Sequence, residues 1–204
     1  RGERVALVAD AGTPLVSDPG YKLVRAAIDE ALPVTVAPGP SAVLAALVLS
    51  GLPTDAFLFA GFLPARPAAR RTALARWRDV AATLVFFEAT PRLAAALADL
   101  ADILGDRPAA VARELTKLHE EVRRAPLADL AAHYRAAPPP RGEAVIVVGS
   151  APPARPDWQA IDQKLRALLA AGGVREAAAR LAAETGLPRR ELYRRGLAIQ
   201  RGEQ

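Results

Sequence analysis

Short apolar runs alternate along most of this chain with stretches of helical periodicity, and the runs end in glycine, proline or small polar residues. A continuous apolar run suits a strand covered on both faces. Strands separated by helices are brought parallel by right-handed crossovers. Val5-Ala6-Leu7-Val8-Ala9 is such a run and is expected to be a strand buried on both faces. A loop over 10–20 follows it. Residues 21–31 have helical spacing, with Leu23, Val24, Ala27 and Ile28 on one side. Residues 34–37 read as a second, β-branched strand. Pro38-Gly39-Pro40 ends that strand, and Ser41 is placed to cap the helix beyond it. Gly51-Leu52-Pro53-Thr54-Asp55 reads as a domain junction.

Residues 57–150 repeat the alternation. Strands are expected over 57–63, 83–87, 109–115 and 144–148, and helices over 66–78, 92–104 and 127–136, with a proline-rich loop over 136–141. The character changes at 151. Residues 151–156 read as a linker, and the rest as helix. A small-residue helix over 174–184, the turn Thr185-Gly186-Leu187-Pro188 and a basic helix over 189–200 form a helix-turn-helix pattern. The expected fold class is α/β: remainder of one α/β domain over 1–56, a second over 57–150 and an all-helical tail over 151–204.

Composition excludes several chemistries. There is no cysteine, hence no disulfide, thiolate metal site or thiol nucleophile. Two histidines, His119 and His133, do not suggest a metal centre, and no metal is expected. The longest apolar run, 42–49, falls far short of the roughly 20 residues that cross a bilayer. With no secretion signal either, a cytoplasmic protein without a membrane partner is expected. The 24 arginines against 3 lysines, beside 47 alanines, fit GC-rich codon usage, so arginine excess alone does not mark a nucleic-acid partner. The chain contains no methionine and runs at once into its first strand, as expected of a fragment lacking an N-terminal piece.

Ligands of open α/β sheets sit beyond the carboxyl ends of strands. Two loops are expected there. In the first, Ala11 and Gly12 are small enough for a ligand to reach the backbone. The second, Pro38-Gly39-Pro40-Ser41-Ala42, opens a helix whose free N–H groups carry partial positive charge. Side by side, the two loops would make a cleft.

Six segments occur in a telling order: Val8-Ala9-Asp10-Ala11-Gly12-Thr13-Pro14-Leu15-Val16-Ser17-Asp18-Pro19-Gly20, Pro38-Gly39-Pro40-Ser41-Ala42, Gly61-Phe62-Leu63-Pro64, Phe87-Glu88-Ala89-Thr90-Pro91-Arg92, Ala112-Arg113-Glu114-Leu115-Thr116-Lys117 and Arg141-Gly142-Glu143-Ala144-Val145. Across essentially the whole chain, this set resembles the bacterial 16S ribosomal RNA cytidine 2′-O-ribose methyltransferases of the tetrapyrrole-methylase superfamily. The resemblance implies two α/β domains of the tetrapyrrole-methylase type, the N-terminal part truncated here. S-adenosyl-L-methionine would lie in the cleft between them, and the protein would be a homodimer. It implies 16S ribosomal RNA or the small ribosomal subunit as partner, methylated on a ribose of the decoding region. It also implies cofactor contacts from Asp10, Ala11, Gly12, Thr13, Val16 and Ser17, from Ser41 and Ala42, from Phe87, and from Gly142, Glu143 and Ala144. Family members begin with a strand and a Pro/Gly-rich loop near the cofactor; this sequence lacks both, which leaves the fragment's own activity open.

The implied reaction is attack of a ribose hydroxyl on a sulfonium methyl, for which the protein aligns the reactants and helps remove a proton. No histidine lies in a motif, so the catalytic candidates are Glu88, Glu114 and Lys117. Arg113 and Lys117 are placed to hold phosphates, with Glu114 orienting Arg113 or accepting the proton. The alternative is an internal ion pair of Arg113 with Glu114 or Glu88. RNA requires a positive track. The candidates are Arg66, Arg70 and Arg71, expected on a mobile loop near the cleft mouth; Arg92 and Arg113; Arg123 and Arg124; and Arg189, Arg190, Arg194 and Arg195 in the tail. Two rival readings are a tetrapyrrole C-methyltransferase and a helix-turn-helix nucleic-acid-binding protein with a ligand-sensing body. The Thr13-Pro14 loop, the segment 113–117 and the helical tail favour RNA methylation.

Overall fold

The computed structural model describes residues 2–152 and 156–202. It divides into two compact units, Arg1–Pro153 and Ala154–Gln204. In the first unit, helices α1 (Tyr21–Asp29) and α2 (Ala42–Ser50) precede strand β1 (Phe57–Phe62), helix α3 (Pro67–Ala75), strand β2 (Thr83–Ala89), helix α4 (Leu93–Leu104), strands β3 (Pro108–Arg113) and β4 (Glu121–Pro126), helix α5 (Leu127–Ala136) and strand β5 (Glu143–Val148). The strands form one sheet in the order β1-β2-β5-β3-β4. Among the described residues the β1–β2 pairing is the only parallel one; β5 enters antiparallel between β2 and β3, which run the same way, and β4 pairs antiparallel with β3.

Strand alternation sends successive side chains to opposite faces of this sheet. On one face, Leu84, Phe86, Val111 and Ile146 pack with Leu74 of α3, Leu93, Leu97 and Leu100 of α4, and Leu127 and Leu130 of α5. On the other, Val85, Ala110, Ala112, Val145 and Val147 pack with Val43, Ala46 and Leu47 of α2. Ser41 caps α2 as expected, its Oγ accepting from the Leu44 N–H at 3.4 Å. The segment read as a domain junction is tied to the sheet, since Thr83 Oγ donates to the Pro53 carbonyl at 2.7 Å.

Three local expectations are corrected. Residues 5–9 and 34–37 are not strands: among the described residues they make no ladder, and Val5 and Val8 are each 82% exposed. The helix expected over 21–31 forms as α1 but buries none of its residues. An apolar run becomes a buried strand only when neighbouring strands satisfy its backbone and helices cover its faces, and nothing among the described residues does so here. The second correction is β4, which the reading over 57–150 lacked. Glu121-Val122-Arg123-Arg124 is too charged to resemble a buried strand, but charge is what an edge strand carries against unwanted pairing. Thirdly, Arg66, Arg70 and Arg71 are not on a loop. Arg66 is the N-cap of α3, and Arg70 and Arg71 lie within it.

Among its described residues the second unit has three helices, α6 (Trp158–Leu169), α7 (Val174–Thr185) and α8 (Arg189–Arg201), around Ile161, Leu165, Ala178, Leu181 and Leu192. The tail helices fall where periodicity and the Gly186-Leu187-Pro188 turn place them. The expected linker over 151–156 lies partly outside the described residues. Among the described residues, no helix is long and apolar enough to cross a membrane.

Candidate functional site

The sheet brings four of the six motifs to one edge: the carboxyl ends of β1, β2 and β3 and the start of β5. Pairing register sets Glu88 beside Ala144, Ala144 beside Arg113 and Arg113 beside Glu121 in one row; Phe62, Phe87, Val145, Ala112 and Val122 form the next. The two rows face opposite ways. Phe87 points to the α2 side, packing edge-on with Phe59 at 4.8 Å and Phe62 at 5.4 Å between ring centres. Glu88 and Ala144 point to the α4 side.

The loop over 10–20 reaches this edge on the α2 side. Gly61 takes φ +69° at a break in the β1–β2 register. The loop touches the strand here: a Cβ built on Gly61 would lie in ordinary contact with Ser17 Oγ, at 3.5 Å, so the glycine is favoured by its backbone angle and not by space. Thr13 Oγ donates to the Pro40 carbonyl at 3.4 Å, joining the two small-residue loops. Leu15 and Ser17 hold left-handed φ angles of 72° and 59°. Such conformations cost a non-glycine residue about 1–3 kcal/mol and cluster at functional sites. Asp10, Ala11, Gly12, Val16, Ser17 and Ala42 are exposed; Thr13, Ser41 and Phe87 are half-buried.

A second cluster lies where the β3–β4 loop meets the start of β5. Glu114, at φ +50°, accepts on Oε1 from Lys117 Nζ at 3.0 Å and from the Glu143 N–H at 3.3 Å. Lys117, and then the Glu143 N–H, hold the Glu114 carboxyl below the usual carboxylate range. Gly142 is at φ +94°, and a Cβ there would run into the Glu114 carboxyl. The backbone angle favours glycine at this motif position, and any side chain there would have to displace the Glu114 carboxyl from its present place. Thr116, also left-handed at φ +65°, donates its N–H to Glu120 Oε2 at 2.6 Å.

Several candidate residues have structural partners instead. Glu88 has no exposed side-chain surface. Its Oε1 accepts from Arg92 Nε at 2.8 Å, Arg92 Nη2 at 2.5 Å and the Ala89 N–H at 2.8 Å. Neighbours along a strand face opposite ways, so Phe87 and Glu88 point to opposite faces of the sheet; Glu88 Oε1 holds Arg92, and its Oε2 is buried without a hydrogen-bond partner among the described residues. The Ala144 side chain is in the core, leaving only its backbone for a ligand. Arg113 is held by Glu121 Oε2, at 3.2 Å from Nε and 3.1 Å from Nη2, and by the Arg141 carbonyl. The expected Arg113–Glu114 pair is thus replaced by Arg113–Glu121 and Lys117–Glu114. Arg70 is buried against Asp99 at 2.6 Å, and Arg71 binds Asp99 and Asp102 at 2.8 and 3.1 Å, clamping α3 to α4. Burial removes Arg70 from the RNA-contacting set. Arg66, Arg189 and Arg190 are exposed, and Arg194 pairs with Glu191 at 2.6 Å. Phe59 and Phe62 were not among the candidates; the signal available was an aromatic beside the glycine of Gly61-Phe62-Leu63-Pro64.

Two family models match this chain: Tetrapyrrole (Corrin/Porphyrin) Methylases over residues 1–131, and the RsmI C-terminal HTH domain over residues 155–200. A relative from Mesorhizobium japonicum, Ribosomal RNA small subunit methyltransferase I, is 50% identical over 98% of this chain and 68% of its own length. One of the same name from Micromonospora olivasterospora is 50% identical over 94% of this chain and 62% of its own. Among solved structures, uroporphyrin-III-C-methyltransferase from Thermus thermophilus has 26% identity and a TM-score of 0.48, over 69% of this chain and 61% of that one. The chain thus spans about two thirds of the length of such relatives.

Proposed function

This chain belongs to the tetrapyrrole methylase family, and from that premise we propose that it transfers a methyl group from S-adenosyl-L-methionine to the 2′-hydroxyl of a cytidine ribose in 16S ribosomal RNA. The observation that carries the reading is the meeting, at one sheet edge, of the Ser17–Gly61 approach, the Thr13–Pro40 link, the Phe59-Phe62-Phe87 cluster and the Glu114–Gly142 contact. The residues there fit the cofactor: aromatic faces suit an adenine and a sulfonium cation, and small-residue backbone with the Thr13 and Ser17 hydroxyls suits polar groups. Ala11, Gly12, Thr13 and Ser17 would hold it on one side and Phe87, Gly142 and Glu143 on the other. When bound, it supplies an activated methyl on positive sulfur.

The chain's own residues position the nucleophile. Glu114 Oε1 is occupied by Lys117 and the Glu143 N–H, which leaves Oε2 to accept the hydrogen of a ribose hydroxyl. The Lys117 ammonium, just over half exposed, is available to a substrate phosphate. The left-handed angles at Glu114 and Thr116 fix the loop before substrate arrives, which lowers the ordering cost at the reaction. The reading places the protein in the cytoplasm with the small ribosomal subunit as partner. A homodimer would cover the outer face of α2, where Leu44 and Val48 are exposed.

The test is label transfer. The protein is incubated with methyl-labelled S-adenosylmethionine and small subunits, naked 16S RNA or uroporphyrinogen. Label is expected on RNA, at a ribose that resists alkaline cleavage. Glu114→Ala and Lys117→Ala in the full-length enzyme should lower turnover at least tenfold while calorimetric cofactor affinity changes little. Label on the tetrapyrrole alone, or wild-type turnover in both variants, would refute the assignment.

A further inference from the structure

Residues 154–204 carry ten basic and six acidic side chains, against seventeen and sixteen in residues 1–153. A quarter of the chain thus holds four of its five net positive charges. Codon bias acts on the whole sequence and does not concentrate the excess in one unit. The acids of the helical unit are mostly spoken for: Asp162 binds Arg195 at 2.6 Å, Glu184 binds Lys164, Glu191 binds Arg194, and Asp157 caps α6. Among the described residues, Arg189, Arg190 and Arg201 have no carboxylate partner.

Those arginines share a face of α8. At about 100° per residue, Tyr193 and Leu197 fall in the middle of the exposed side, with Arg189 on one flank and Arg190, Arg194 and Arg201 on the other. Tyr193 is 41% exposed and Leu197 half-buried. The opposite face is fixed firmly. Arg195 grips Asp162 with two N–H groups and lies 4.4 Å over the Trp158 ring, and Gly196 lets α8 approach so closely that a Cβ would sit 2.8 Å from Val174 Cγ1.

We propose that this face of α8 docks an unpaired stretch of RNA, with the arginines on its phosphates and the Tyr193 ring stacked on one base. Positive charge alone would serve any nucleic acid. An aromatic ring at the centre of the charged face needs an exposed base plane, which a duplex hides and a loop offers. The inference rests on the reading of this chain as an RNA-modifying enzyme and adds the element and the RNA form that it grips.

The test measures binding of the whole chain, by fluorescence anisotropy over a salt series, to an RNA hairpin with a large loop, to its blunt stem duplex and to duplex DNA. Tyr193→Ala should weaken hairpin binding about 5- to 100-fold with the salt slope unchanged, and Tyr193→Phe should restore it. Arg189→Gln with Arg190→Gln should reduce the slope by about 1.4, two phosphate contacts' worth on a single strand. Circular dichroism checks that the helices persist. Hairpin binding by Tyr193→Ala as tight as the parent's, or equal affinity for blunt duplex RNA or DNA, overturns the proposal. Calorimetry with S-adenosylmethionine separates the two readings: loop-RNA binding without cofactor heat would sink the enzymatic assignment and leave the docking face standing.

Discussion

Val5, Leu7 and Val8 are exposed, whereas Leu84, Val85 and Phe86, in a similarly short apolar run, are completely buried. The two runs are written alike, and both precede a small-residue segment. They differ in what surrounds them. Residues 83–87 have β1 on one side, β5 on the other, α2 over one face and α3 to α5 over the second. Residues 5–9 have none of these among the described residues. Apolar pattern thus states what a segment tolerates, and neighbours decide whether it is buried.

The strongest way to break this contrast is a matched pair of truncations. Phe86→Ala should lower unfolding free energy by about 3–5 kcal/mol, the usual cost of emptying a large buried aromatic site, while Val8→Ala should leave the denaturation midpoint where it was. Equal effects in urea titrations would mean that the first run is buried after all.

Charged pairs give the next contrast. Arg70–Asp99 is shielded between α3 and α4, and Arg25–Asp29 is exposed along α1. Arg70→Ala leaves Asp99 with the half-exposed Arg71 alone and should cost about 1–3 kcal/mol. Arg25→Ala should produce no measurable change, as expected of a solvated pair. Thermal melts of the two variants decide it.

The smallest effect concerns pH at the candidate site. The Glu114 carboxyl is held below its ordinary value in the folded protein, chiefly by Lys117. A depressed folded value means that the contribution of Glu114 is fully present above the unfolded value near ~4.3 and is lost as pH falls through the folded value. Protection of the Glu143 amide against hydrogen exchange, corrected for intrinsic rate, should therefore hold from pH 8 to 5 and decline only below about pH 4. A decline already near pH 6 would place a different titrating group at this contact.

Within the sheet unit, the helix at 127–136 and the strands at 57–62, 83–89, 108–113 and 143–148 lay at or within two residues of positions legible from periodicity and punctuation. So did the Ser41 cap. Strand β4 was not legible because its outward charges hide the pattern. At the candidate site, the motif order identified the right sheet edge, but Phe87 and Glu88 read as one element and turned out to face opposite sides. Arg113 and Glu114 read as partners, yet each binds a residue several positions further on.

By itself the sequence determined where helices begin and end, which segments are apolar, that the tail is basic, and which small residues gather at a ligand edge. These follow from steric limits on each residue and its near neighbours. Only the tertiary structure decided that residues 5–9 have no cover among the described residues, that Arg70 is a clamp, that Glu88 is sealed behind Arg92, and that Glu114 lies over Gly142. Each of those depends on strand register and helix packing, which are set by the sum of many contacts between residues far apart in the chain, and no local window of residues contains that sum.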